Sequence, residues 1–313
     1  MLSLLSAIPL STHAQSYPAK PVKIIVGLTA GGGIDTVSRI LAQKLGVSTG
    51  QSFIVDNRVG AGGNLAFEFV AKSEPDGYTL LNTASSFVVN PSLYRKVNYR
   101  IDDFAAVTLV GKAPFLLVVH PSLPAQTLAD LLKLARAKPG SIRYASGSAG
   151  GTTHLASEVL RAMANIEIMH VPYKGGPQAL HDVIAGQVEM TILPFAETLP
   201  QVHARRVRAL AQTGEKRSPL APEIPTLDEA GVRGYAVTTW YVILGPAAMP
   251  AAVVNKLNAE IVQALKAADV QERLKTAGVS EIIGSTPEQA MTFVRAEFSR
   301  WEKIMRTAGS KAE

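Results

Sequence analysis

Val22-Lys23-Ile24-Ile25-Val26-Gly27-Leu28-Thr29-Ala30-Gly31-Gly32-Gly33-Ile34-Asp35 is the stretch that decides the fold. A short β-branched run ends in a loop of small residues. Apolar positions then recur at Ile34, Val37, Ile40, Leu41 and Leu45, the spacing of one helix face. The same order follows at once. Phe53-Ile54-Val55 reads as a strand, Gly60-Ala61-Gly62-Gly63 as a turn, and a helix runs through Phe67 and Val70 until the Asp76-Gly77 turn stops it. Tyr78-Thr79-Leu80-Leu81 supplies a third strand. The order βαβαβ requires a parallel sheet covered by helices on both faces, so the fold class is α/β.

The pattern restarts after Phe115-Leu116-Leu117-Val118-Val119. Helices are predicted over 128–137, 155–163 and 178–185, and strands over 143–145, 168–171, 188–193 and 207–212. A second Ser/Gly-rich turn, Ser146-Gly147-Ser148-Ala149-Gly150-Gly151-Thr152-Thr153, lies between strand and helix, as the first one does. The chain ends in helices over 250–267 and 270–277. A longer one starts at Thr286-Pro287-Glu288-Gln289, where Thr serves as N-cap, Pro as first helical residue and Gln as the reciprocal cap. Two units of one kind predict two lobes. They are expected to comprise 17–117 with 242–313, and 118–241, with the boundaries in the strands 115–119 and 236–244.

Composition narrows the function. The 313 residues carry 31 Lys+Arg against 25 Asp+Glu, a net +6, and 47% are hydrophobic, which suits a globular chain with sizeable cores. With no Cys there is no disulfide framework, thiolate metal site or cysteine nucleophile. His13, His120, His154, His170, His181 and His203 are scattered without a metal-ligand pair, and no metal is expected. The first loop lacks both G-K-[ST] and G-x-G-x-x-G, so no nucleotide cofactor is expected either. Nucleic acid is disfavoured: no five like charges adjoin, aromatics are 6%, and Arg205-Arg206-Val207-Arg208 reads as a solvated turn. Residues 1–16 read as a signal peptide or its remnant, apolar over 1–10 with small residues before a cut after Ala14. The missing basic start points to a misassigned initiation site or a truncated segment. No later stretch has 18 uninterrupted apolar residues.

Both small-residue loops lack Lys and Arg and precede a helix, so they offer backbone N–H groups at the positive end of a helix dipole. Two such loops on facing lobes predict a cleft for a carboxylate-bearing ligand. The alternative is a serine-hydrolase-like enzyme using the Ser146–Gly150 turn, with Ser148 as nucleophile and Asp182 and His203 as partners. That motif lacks its first glycine, and its partners follow too soon in the chain.

Over residues 17–309 the chain resembles the solute receptors of tripartite tricarboxylate transporters, the Bug family of periplasmic binding proteins. The matching stretches include Tyr17-Pro18-Ala19-Lys20-Pro21, Ala30-Gly31-Gly32 with Asp35, Asp56-Asn57-Arg58, Gly60-Ala61-Gly62-Gly63-Asn64 and Pro75-Asp76-Gly77-Tyr78-Thr79-Leu80. Further on come Asn90-Pro91-Ser92-Leu93-Tyr94, Thr153-His154-Leu155-Ala156, His170-Val171-Pro172-Tyr173-Lys174-Gly175-Gly176 and Ser285-Thr286-Pro287-Glu288-Gln289. Any one is weak; in this order they are specific.

The resemblance implies a type II periplasmic-binding-protein fold, two α/β lobes joined by two crossing strands, closing on a small carboxylate that is passed to membrane subunits. It implies a periplasmic location, no enzymatic activity, and a receptor that works as a monomer. By position the ligand would meet Thr29, Ala30, Gly31, Gly32 and Gly33, then Thr83, Ser85 and Ser86. On the second lobe it would meet Ser146, Ser148, Gly150, Thr152, Thr153, His154, Tyr173 and Gly175. Lys174 is the one cation nearby. This chain departs from the family in its first loop, which loses two hydroxyls and an aromatic, and at Leu193, where many members carry Asp. Those changes turn the expectation from amino acids toward unsubstituted di- or tricarboxylates, or toward carboxylates with an apolar or aromatic body.

Overall fold

The computed structural model describes residues 17–147 and 151–308. The expected signal segment, Ser148 and Gly150 lie outside the described residues.

The first unit runs β1 (Val22–Val26), α1 (Gly33–Thr49), β2 (Phe53–Asn57), α2 (Asn64–Ala71), β3 (Thr79–Thr83) and α3 (Ser86–Leu93). β4 (Phe104–Val119) follows. The second unit is α4 (Leu128–Ala137), β5 (Arg143–Ser146), α5 (Thr152–Ala164), β6 (Met169–Pro172), α6 (Gly176–Ile184), β7 (Met190–Pro194), α7 (Phe195–His203) and β8 (Arg208–Gln212). The chain returns through β9 (Thr238–Pro246) to α8 (Ala251–Lys266), α9 (Ala268–Thr276), β10 (Glu281–Ile282) and α10 (Pro287–Ala308).

Local rules account for the elements. Ile34, Val37, Leu41 and Leu45 form the buried stripe of α1, which stops where Gly50 takes φ +69°, a left-handed cap that returns its N–H to the Gly46 carbonyl. A reciprocal cap between Thr127 and Asp130 starts α4. Thr286 and Gln289 cap α10 in the same way, as the sequence predicts.

The strands are ordered β2-β1-β3-β9-β4-β7-β5-β6, with β8 and β10 also on β4. β1 pairs in parallel with β2 and β3, and β5 with β6 and β7. β4 belongs to both halves. From Phe104 to Pro114 it lies antiparallel to β9, with β10 on its other edge; from Phe115 to Val119 its partners are β7 and β8. The change falls after a proline, which cannot donate to a ladder. Thr213 bridges it, accepting the Phe115 N–H on its hydroxyl at 2.8 Å and the Val237 N–H on its carbonyl at 3.0 Å.

Each half has its own apolar filling. Ile24, Val37, Leu41, Tyr241 and Leu257 pack between α1 and α8 on the first, and Leu116, Val118, Leu180 and Val183 beside α6 on the second. Behind β4, α10 joins them: Val294 and Trp301 are buried with Phe115, Leu117 and Tyr144. Glu297 receives the indole N–H groups of Trp240 and Trp301 at 3.1 and 3.3 Å.

Candidate functional site

Every parallel strand of both halves leads into a helix, so the starts of α1, α3, α5, α6 and α7 lie beyond the strands' carboxyl ends, where open α/β sheets bind ligands. α1 and α5 begin alike. Their N-caps are Gly32 at φ −75°, ψ 169° and Gly151 at φ −73°, ψ 168°, and neither helix start has a side-chain cap among the described residues. First-turn N–H groups thus stand at the positive end of each dipole, where an anion is favoured.

The first loop is held from behind. Asp35, 3% exposed, accepts the Gly31 N–H at 2.9 Å, an Asn57 amide at 3.0 Å and two Arg39 donors at 2.9 Å. Arg39 and these hydrogen bonds hold its carboxyl below the usual carboxylate range although burial opposes them. The Gly31 N–H is already engaged, so this glycine contributes a bend at φ +84° rather than a donor. Thr29, Ala30 and Gly31 are exposed, Gly32 and Gly33 half-buried. A Cβ at Gly33 would lie 2.7 Å from the Tyr241 hydroxyl, so this glycine lets β9 approach the start of α1. After β3, Thr83, Ser85 and Ser86 are all buried, and the Ser85 hydroxyl has no hydrogen-bond partner among the described residues.

On the second half the Thr153 hydroxyl accepts the Gly147 N–H at 3.1 Å, tying the loop after β5 to the first turn of α5. Thr152, Thr153 and His154 are half-buried. Ser146 is fully buried at the end of β5 and bonds His170 Nε2 at 2.7 Å. Tyr144, His170 and His154 stack in that order, with centroids 4.9 and 4.0 Å apart. Burial and the neighbouring His154 push His170 down to about 4, and burial lowers His154 as well. The His170 ring is thus neutral at neutral pH. The Tyr173 hydroxyl is spent on Asp182 at 2.7 Å, and Gly175 caps α6. Lys174 is exposed.

The expected hydrolase partners do not assemble. Asp182 is tied to Tyr173 and to His181 at 3.2 Å, and His203 sits exposed in the last turn of α7. Leu193 is fully buried and pairs with Leu116 across β4 and β7.

Two groups that sequence reasoning passed over lie at the junction of the halves. Glu197, in the first turn of α7, is half-buried, and its buried Oε2 has no partner among the described residues. A Cβ at Gly176 would overlap this carboxyl, so α6 starts directly against it. Tyr241, from β9, is buried, and its hydroxyl is pushed up by burial and by the charge of Glu197. A glutamate one turn after the strand that ends at Leu193 and Pro194 was the available signal.

Residues 37–310 match the family described as tripartite tricarboxylate transporter family receptor. A protein encoded between tcbD and tcbE in Pseudomonas sp. (strain P51) is 40% identical over 300 residues, covering 94% of this chain and 89% of its own. The R. palustris protein Rpa4515, solved with adipate, superimposes with a TM-score of 0.88 at 36% identity, covering 94% of this chain and 99% of that one. The periplasmic binding protein BugD superimposes at 0.86 with 30% identity, over 94% and 100%. The expected two-lobed periplasmic-binding-protein fold is the one these neighbours share.

Proposed function

The chain belongs to the tripartite tricarboxylate transporter receptor family, and from that premise we propose an extracytoplasmic receptor that binds a small dicarboxylate between its lobes and delivers it to membrane subunits. One observation carries the reading: α1 and α5 begin on glycines of the same conformation with no side-chain cap among the described residues, and neither loop holds a lysine or arginine. A carboxylate satisfies first-turn N–H groups of this kind, each charge-assisted hydrogen bond contributing about 1.5–3 kcal/mol. The adipate of the R. palustris neighbour favours an unbranched dicarboxylate over an amino acid here.

The ligand residues are proposed as Gly32, Gly33 and Ser85 on one lobe and Thr152, Thr153 and Gly175 on the other. Thr29, Ala30, Thr83, Ser86 and Tyr173 frame them. The proposed lobes remain 17–117 with 242–313, and 118–241; the change of partners along β4 supports a boundary on that strand. We place the protein in the periplasm as a monomer without turnover.

Thermal unfolding against the C4 to C8 α,ω-dicarboxylates tests this. At a hundred times its Kd a ligand stabilises by about 2.7 kcal/mol, which raises the melting point by several degrees. No shift with any member of the series, at any pH from 6 to 8.5, would refute the dicarboxylate reading.

A further inference from the structure

Glu197 is a carboxyl placed where a carboxylate ligand is proposed to bind, which looks like an electrostatic contradiction. Its Oε2 is buried and unpartnered among the described residues, and α6 starts against it on Gly176. No salt bridge to it occurs there, and burial alone raises it to about 7. An ionised Glu197 would repel a dianion, and an ammonium as its partner would have to approach through the positive ends of several helices. A protonated Glu197 meets neither objection, because its O–H can donate to a carboxylate oxygen.

We propose that Glu197 is a specificity-determining residue that receives the second carboxylate of the dicarboxylate, the two groups sharing one proton taken up from solvent on binding. The Tyr241 hydroxyl, which reaches the start of α1 over Gly33, lies close enough to Glu197 to respond to its charge, so the shared proton sits at the lobe junction. The remaining titratable and charged groups on the packed elements are engaged or exposed. On the α6 side, Tyr173, Asp182 and His181 bond one another and Lys174 is exposed. On β4, Lys112 lies over the Phe293 ring at 5.2 Å. On α9, Lys275 is exposed, and His203 is at the far end of α7.

This inference rests on the dicarboxylate reading, and the experiment separates the two. Calorimetry of adipate binding is run from pH 6 to 8.5 in buffers of different ionisation enthalpy. Carboxylic acids like adipate are fully ionised above about pH 6.5, so proton uptake reports the protein. The expected result for the wild type is uptake approaching one proton at pH 8 and a Kd that rises about tenfold per pH unit above 7. Hexanoate, with no second carboxylate, takes up none. Glu197→Gln donates through an amide that does not titrate, so its adipate Kd is flat with pH and its proton uptake is zero. Adipate binding that is pH-independent in the wild type overturns the role of Glu197 while leaving the receptor reading intact. Tighter binding of 6-aminohexanoate than of adipate, lost in Glu197→Gln, overturns it in favour of a counter-ion. Absence of binding by every dicarboxylate overturns both.

Discussion

A buried carboxyl without a partner costs stability whenever it is charged, and Glu197 makes that cost measurable in the unliganded protein. Its folded pKa, about 7, stands above the unfolded reference of 4.5. The folded state therefore holds the proton more tightly, an advantage fully present below about pH 4.5 and lost as pH rises through 7. Glu197→Gln is expected to stabilise the protein by roughly 2 kcal/mol at pH 8, below the ~3 kcal/mol that the full shift would imply, and by nothing near pH 4.5. Urea unfolding at the two pH values checks this; equal stabilities at pH 8 would mean that Glu197 is already well solvated.

Gly32 and Thr153 separate binding from folding. At Gly32 the backbone is extended and an added Cβ would meet nothing nearer than the Thr29 carbonyl at 3.5 Å. Gly32→Val should thus fold within about 1 kcal/mol of wild type yet lose dicarboxylate binding, because the side chain occupies the approach to the N–H groups. Thr153→Val removes a proposed donor to the ligand and also the acceptor of the Gly147 N–H. It is expected to weaken binding ten- to hundredfold and to cost about 1 kcal/mol of stability. Titration calorimetry with urea unfolding reads both; a Gly32→Val protein that binds normally would show that the ligand does not use the start of α1.

Among the elements, α1 depends on a support behind its loop. Asp35 ties the Gly31 amide, Asn57 and Arg39 together, so Asp35→Ala leaves an inward-facing N–H without its acceptor. A loss of about 2–3 kcal/mol is expected from the charged hydrogen bonds, together with weaker ligand binding as the loop relaxes. Denaturation and binding on the one variant test the coupling, and a stable variant with impaired binding would place Asp35 in the ligand's path instead. α3 and α7 show where local pattern runs out. Each is short and has a proline inside, Pro91 and Pro200, so neither displays the long periodicity that marks α1. Both carry groups of the proposed site, Ser85 at the cap of α3 and Glu197 in the first turn of α7.

For the whole molecule, the double membership of β4 and the return of the chain through Thr213 and Val237 confine the link between lobes to a few strand residues. Ligand contacts on both sides should close the lobes about them. Small-angle scattering should show a smaller radius of gyration with saturating adipate than without it, and superimposable profiles would count against closure.

The sequence by itself determined the α/β class, the doubling of the unit, the capped C-terminal helix and the two glycine loops that precede helices. Each is written in neighbouring residues: period-2 and period-3.6 burial, turn glycines and caps act over one or two turns of chain. Tertiary structure alone decided that Gly31 spends its N–H on Asp35, that Ser146 is buried against His170, and that Tyr241 from β9 reaches Gly33. It alone placed Glu197 against Gly176 without a partner for Oε2 among the described residues. The reason is physical: burial, and with it a carboxyl's affinity for a proton, depends on which distant segments exclude water from it, and local residue spacing does not carry that information.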